Sequence, residues 1–282
     1  MVAPQKSDGA SLPFLRWAGG KRQLVPKLKL LWSDEYSRYI EPFAGSAALF
    51  FAIKPRHALL GDFNGELVEA LRSVRDSPGT VFRSLKQFRK GEKNYYRIRK
   101  LDPRKLSRSM RVARFIYLNR YCFNGIYRTN KSGMFNVPYG AKRAGRMPSL
   151  KHFESCAKVL RKASIIRADF TKTLERVRAG DFVYLDPPYA VDDRRVFVEY
   201  SAKAFTTAQI DTLEKWLEKI DRRGAHFVLS YIYCKESRDR FLQWKRHRML
   251  TKRKISGFLP SRGPKFELRV TNIDISSRSS QN

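Results

Sequence analysis

The chain has 282 residues, with 58 Lys+Arg against 26 Asp+Glu, a formal net charge of +32 and a pI near 10.4. At 42% hydrophobic and 13% aromatic it carries enough apolar surface to build a sizeable core, which excludes a disordered chain despite the charge. No apolar run reaches the roughly 18 residues a membrane helix requires and the N-terminus shows no signal-peptide apolar region, so no membrane partner is expected.

Three cysteines, Cys122, Cys156 and Cys234, are odd in number and widely spaced. They form neither a metal pattern nor a disulfide framework, so no metal and a reducing, cytoplasmic setting are expected. The charge excess points to a polyanionic partner, with a phosphate backbone as the first candidate.

In chain order, residues 38–43 read as a short strand, followed by a small-residue loop and an apolar run at 47–53. Residues 58–61 read as a second buried strand closed by Asp62, with a helical pattern over 66–75. Residues 100–170 carry 17 Lys+Arg against three acids, Asp102, Glu154 and Asp169, a net +14. Strands follow at 164–168 and 181–185 with a helix between them. Thr206 then opens a helix: Gln209 completes a capping box, and Ile210, Leu213, Leu217 and Ile220 share one face. Another apolar strand is expected at 226–230, then a basic segment at 245–254 and a Gly/Pro loop at 257–264.

Strands alternating with helices imply an α/β fold whose mostly parallel sheet is covered on both faces. The stretch 64–149 has helix-like patches and turns instead, and reads as an insertion into a domain formed by 1–63 and 150–275. Residues 276–282 read as a frayed tail.

Four elements carry chemistry. Asp186-Pro187-Pro188-Tyr189 directly follows the apolar strand, at the end where open parallel sheets bind ligands. The Asp186 carboxylate and the Pro187 carbonyl suit the two N–H bonds of an exocyclic base amine. Neither proline offers a competing N–H, and Tyr189 offers a stacking face. A proline pair also serves as a plain strand terminator. Tyr39-Ile40-Glu41-Pro42-Phe43-Ala44-Gly45-Ser46-Ala47 places small residues after a strand, where a cofactor approaches the backbone. Asp62 stands 17 positions after Gly45, placed for ribose hydroxyls. The same run also makes an ordinary strand-to-helix turn.

Phe14-Leu15-Arg16-Trp17-Ala18-Gly19-Gly20-Lys21 holds two glycines between an indole that can stack on a ligand and an ammonium that can meet a carboxylate. Trp17 serves equally as a core residue. The last element runs from Asn119 through Asn124-Gly125 and Ser132-Gly133 to Gly140, with short strands expected at 126–130 and 134–137. This hairpin interleaves aromatics, amides and bases. Arg128 can pair with guanine O6/N7, and Phe123 or Ile126 can fill the gap left by an extruded base. A hairpin touching phosphates only is the plainer alternative.

In this order, the four elements resemble the DNA adenine N6-methyltransferases typified by Dam, over about residues 12 to 275. The resemblance implies a Rossmann-like S-adenosylmethionine-dependent methyltransferase sheet with an inserted, mostly helical target-recognition domain carrying a β-hairpin. It implies a site-specific DNA methylase acting on adenine in duplex DNA by base flipping, at GATC. Trp17, Lys21, Phe43, Gly45, Asp62 and Asp186 would line the cofactor pocket, with Asp169-Phe170 beside the cofactor adenine and Phe205 helping to cover the site. Asp186, Pro187 and Tyr189 would be catalytic. Arg16 would reach a base edge, Arg128 would read a guanine, and Asn124 and Ile126 would sit at the flipped-base gap. Pro138 would touch the far end of the site, with Arg120 and Asn130 also on the DNA side.

Two positions depart from the family pattern: Ala47 stands where many relatives have a second glycine, and Cys122 where some have glycine. The implied protein is a monomer working on DNA in a prokaryotic, phage or mobile-element setting. Alternatives are an RNA adenine methylase, and an inactive basic DNA-binding protein of methylase fold. Cytosine N4 methylation is disfavoured because the tetrad there usually opens with serine.

Overall fold

The computed structural model describes residues 12–19, 21–130, 132–188, 205–251 and 265–274. Within them lie seven strands: β1 (Tyr39–Glu41), β2 (Ala58–Asp62), β3 (Ala163–Arg167), β4 (Phe182–Leu185), β5 (His226–Ile232), β6 (Lys245–Thr251) and β7 (Lys265–Thr271). They form one sheet in the order β3-β2-β1-β4-β5-β7-β6. The first five are parallel, and the starts of β3, β2, β1, β4 and β5 fall in one row: Ala163, Ala58, Tyr39, Phe182 and His226 are successive register partners. The order reverses between β1 and β4. Their carboxyl ends therefore flank the crevice where an open α/β sheet binds its ligand.

The parallel part follows the expectation, because its central strands β2, β1 and β4 are short and buried on both faces. Tyr39, Leu60, Phe182 and Tyr184 join one apolar layer, whereas Ile40, Leu59, Val183 and Leu185 join the other. The antiparallel pair β7/β6 was not expected as strands. In β7 only Phe266, Leu268 and Val270 supply an apolar face, alternating with Glu267, Arg269 and Thr271, and β6 reads as a basic run.

The helices are α1 (Val25–Lys29), α2 (Ala48–Ile53), α3 (Gly65–Asp76), α4 (Pro78–Lys86), α5 (Glu92–Lys100), α6 (Arg108–Tyr121), α7 (Leu150–Leu160), α8 (Phe170–Leu174), α9 (Thr207–Arg222) and α10 (Lys235–Arg240). α9 opens with the capping box expected from Thr206 and Gln209, and buries Ile210, Leu213, Leu217 and Ile220. Helices α3 to α7 share one apolar layer with the sheet, and that layer runs on to Phe135 and Val137. The hairpin at 119–140 is present but minimal. Its arms meet through two isolated antiparallel bridges, Cys122 with Tyr139 and Thr129 with Phe135, rather than through full strands. Asn124 turns into the left-handed region at φ 53° inside a short 3-10 turn, so Asn124-Gly125 shapes the entry to the hairpin rather than its tip. The Gly/Pro loop 257–264 and the tail 276–282 lie outside the described residues. Among the described residues no helix is long and apolar enough to cross a membrane, and no group of three His, Cys, Asp or Glu side chains is arranged to hold a metal.

Close approach of α8 to β2 depends on Gly61, immediately before Asp62. A Cβ there would collide with the Thr173 hydroxyl and lie 3.0 Å from its methyl. Thr173 is fully buried and has little room to withdraw. Gly61→Ala is expected to cost about 1–3 kcal/mol of stability, measured by chemical denaturation.

Candidate active site

After β1 the chain turns sharply through Glu41-Pro42-Phe43-Ala44-Gly45. The Gly45 N–H donates to Asp62 Oδ2 at 2.9 Å, and the Asn64 N–H donates to Oδ1 at 2.8 Å. Burial outweighs these two bonds and pushes the Asp62 carboxyl up to about 6. Gly45 sits at φ +48°, and a Cβ on it would lie 2.9 Å from the Trp17 indole, so the loop and the indole touch only because this residue is glycine. Ala47 also adopts the left-handed conformation, at φ 54°. The turn that a second glycine would make freely is therefore kept by alanine, at about 1–2 kcal/mol of strain.

Phe43 stacks on Phe170 with ring centroids 5.3 Å apart, and Phe205 packs against both. Asp169 caps α8, its Oδ1 accepting from the Thr171 N–H at 3.0 Å and the Thr171 hydroxyl at 2.9 Å. The cofactor residues expected after β1, β2 and β3 thus converge on the carboxyl edge of the sheet beside the switch point.

Across the crevice, β4 ends in Asp186-Pro187-Pro188. Lys21 reaches it from the N-terminal segment. Its Nζ lies 2.9 Å from Asp186 Oδ1 and 3.4 Å from Glu267 Oε2. Lys21 is 9% exposed and Glu267 2%. The carboxylate expected to meet Lys21 is therefore supplied by the protein twice over. Glu267 was missed because it lies on β7. Its signal was an acid set between Phe266 and Leu268, where the alternation places it in the sheet interior. Glu41, at the end of β1, is also buried, and desolvation drives its carboxyl well above the ordinary range, with the charges of Asp186 and Asp62 adding to the shift. Tyr189 lies outside the described residues.

The hairpin and the N-terminal segment are built together. Trp17 stacks on Tyr127 at 5.8 Å, the Tyr127 hydroxyl donates to Glu66 at 2.7 Å, and the Ala18 N–H donates to the Gly125 carbonyl at 3.3 Å. Asn119 grips the backbone of Arg16, accepting from its N–H at 2.9 Å and donating to its carbonyl. Arg16 itself donates to the Arg120 carbonyl at 3.2 Å. Arg128 donates through Nε to Asn136 Oδ1 at 2.8 Å, and its terminal nitrogens take no partner among the described residues. Pro138 is exposed, whereas Phe123, Asn124 and Ile126 are half-buried.

Two residues expected on the DNA side have structural employment. Arg120 donates to the carbonyls of Arg146 and Phe14, and burial, with Arg16 and Arg22 nearby, lowers its guanidinium to about 10. Asn130 Oδ1 accepts from the backbone N–H groups of Ser132 and Met134, closing the hairpin tip. Cys122 is fully buried and donates to the carbonyls of Asn119 and Ile126. Burial pushes its thiol up to about 12, as befits a packing residue rather than a nucleophile.

A doubly wound sheet with a glycine loop after β1, an acid at the end of β2 and Asp-Pro-Pro after β4 gathers these residues at the switch point, where open α/β sheets bind their ligands. Comparison with known proteins makes the class particular. Residues 17–255 match the model of the D12 class N6 adenine-specific DNA methyltransferases. The chain is 34% identical over 277 residues to the Type II methyltransferase M1.LlaDCHI of Lactococcus lactis subsp. cremoris, covering 95% of this chain and 98% of that one. It is 31% identical over 247 residues to the Retron Ec67 DNA adenine methylase of Escherichia coli (86% and 85%). It is also 31% identical over 223 residues to a DNA adenine methylase of Vibrio cholerae (77% and 80%). The chain belongs to the D12 class N6 adenine-specific DNA methyltransferase family.

Glu267→Gln removes a carboxylate from a buried ammonium without changing side-chain volume. It is expected to cost about 1–3 kcal/mol of stability in denaturant titration, because the Lys21 ammonium loses one of the two carboxylates beside it and keeps Asp186.

Proposed function

We propose that the protein transfers a methyl group from S-adenosylmethionine to N6 of adenine in duplex DNA, at GATC, with the target base turned out of the helix. The observation that carries this reading is Asp186. It is an acid at the switch-point end of β4, fixed by buried Lys21 and followed by two prolines that expose a carbonyl with no N–H. The crevice suits the methyl donor. Asp62 stands where ribose hydroxyls would bind, and Phe43 and Phe170 give an apolar wall for a purine. Oε2 of buried Glu41, without a hydrogen-bond partner among the described residues, is left for a cationic amine. Trp17, Lys21, Gly45 and Asp169 complete the lining.

When bound, the donor supplies an electrophilic methyl on a sulfonium. The chain's own residues do the rest by positioning and electrostatics. Asp186 accepts one N6–H and the Pro187 carbonyl the other, which draws the amine out of conjugation and directs its lone pair along the crevice. Tyr189 stacks on the extruded base and offsets part of a flipping cost of a few kcal/mol. Arg16 and Arg128 read base edges, Phe123, Asn124 and Ile126 occupy the gap, and Pro138 meets the far end of the site. Arg120 and Asn130 hold this apparatus in shape. In this reading residues 64–149 are the recognition insertion, and 1–63 with 150–275 the catalytic domain. The enzyme acts as a monomer on cytoplasmic DNA of a prokaryotic, phage or mobile-element host. RNA methylation and an inactive DNA-binding role are weaker readings. The hairpin suits a duplex gap, and Asp186, Lys21 and Asp62 are all in place.

Asp186→Ala is expected to lower the single-turnover methylation rate by about 10²–10³-fold or more, with DNA affinity retained. Methylation undiminished in a variant that still binds DNA would overturn the assignment.

A further inference from the structure

The basic run of β6, which the proposed site leaves unused, is part of a three-arginine cluster. Arg246 and Arg248 lie two apart on β6 and share one face of the strand, and Arg238 comes from α10. Arg238 and Arg248 both lie over the Tyr233 ring, at 5.4 and 5.7 Å from its centroid. Arg248 also lies 4.4 Å over Phe266, and Arg246 donates to the Arg238 carbonyl. All three are mainly solvent-facing, and none forms an ion pair among the described residues, including with the neighbouring acid Asp239. Three like charges are thus seated side by side on rings and a carbonyl. The seating restricts their rotamers before any ligand arrives, which lowers the entropic cost of binding an anion. Lysines and arginines on an edge strand also discourage strand addition. That purpose needs only charge, not aromatic seating or an arginine from a second element.

The position is informative. Tyr233 follows the carboxyl end of β5 and Phe266 lies near the start of β7, so the cluster lies toward the same sheet edge as Asp186. Three strand steps separate β4 from β6, about 14 Å at ~4.8 Å each. The hairpin packs on the other side of Asp186, through Trp17 and the helices that follow β2.

We propose that Arg238, Arg246 and Arg248 form a phosphate-binding face for the DNA flank on the side of the target base opposite the recognition hairpin. At ~3.4 Å per base pair, 14 Å places the contacted phosphates about four base pairs beyond the target. The inference rests on duplex DNA being the substrate. It extends that reading from the recognition site to the flank.

The test uses the full chain and duplexes carrying one site, with either flank ending about three or about ten base pairs from the target adenine. For the wild type, lengthening one flank, and not the other, is expected to tighten binding and steepen its salt dependence. In the triple variant R238Q/R246Q/R248Q that gain should vanish, and the slope of log K against log salt should become shallower by about 2–3 on the long duplex, at about 0.9 per phosphate. Methylation of the short-flank duplex should stay within twofold of wild type. That arm also reports on the substrate reading itself, because no methylation of any duplex by the wild type would mean that reading had failed. The triple lysine variant keeps the charge and is expected to retain most of the slope, which guards against a misfolded glutamine variant. A wild type indifferent to flank length would overturn the proposal, as would a glutamine variant with the full gain. So would equal gain from a flanking RNA duplex with none from DNA.

Discussion

One buried ammonium organises this molecule. Lys21 is pinned between Asp186 after β4 and Glu267 on β7, and so ties three distant parts of the chain to the switch point of the sheet. An ion cluster of this kind contributes little net stability over an apolar replacement, because desolvation offsets much of the attraction. Removing Lys21, in contrast, would leave the Asp186 carboxylate and the buried Glu267 carboxylate without the cation between them. What the cluster supplies is position. It fixes the Asp186 carboxylate at the switch point, and it ties the antiparallel strand β7, wedged between β5 and β6, to the end of β4.

The same short N-terminal segment that delivers Lys21 also packs against the hairpin. Between Arg16 and Lys21 the chain is clamped by Asn119, stacked through Trp17 on Tyr127 and bonded through Ala18 to Gly125. Trp17 in turn touches Gly45 of the loop after β1. The loop after β1, the hairpin and Asp186 are therefore joined through contacts of Trp17, Ala18 and Lys21. A displacement of the hairpin by DNA has a direct route of packed atoms to the crevice.

The parallel core was legible in the sequence because its signals are local. Buried strands of four or five apolar residues ended by Asp62 or Asp186, and a capping box ahead of a 3.6-residue stripe, need no knowledge of distant partners. What escaped was set by long-range contacts. Glu267 acquires its meaning only when β7 inserts between β5 and β6. Arg120, expected on the DNA side, is held by the carbonyls of Arg146 and Phe14, partners brought close only in the fold. Asn130, expected on the DNA side, accepts the backbone N–H groups of Ser132 and Met134 at the hairpin tip. The hairpin was recognisable by its turns, but its arms are too short and too polar to pair beyond single bridges.

The charge of +32 also resolves into parts. Arg111, Arg114, Arg120 and Arg16 serve internal carboxylates and carbonyls, Lys21 serves the crevice, and Arg128 bonds Asn136 through Nε. The central claim is that this arrangement selects one amine on one base in one sequence. It is tested most directly by incubating unmethylated plasmid with the protein and S-adenosylmethionine and mapping modified bases by single-molecule sequencing. N6-methyladenine on both strands of GATC sites is the predicted result. Unmodified DNA, modified cytosine, or methyladenine at unrelated sequences would contradict it.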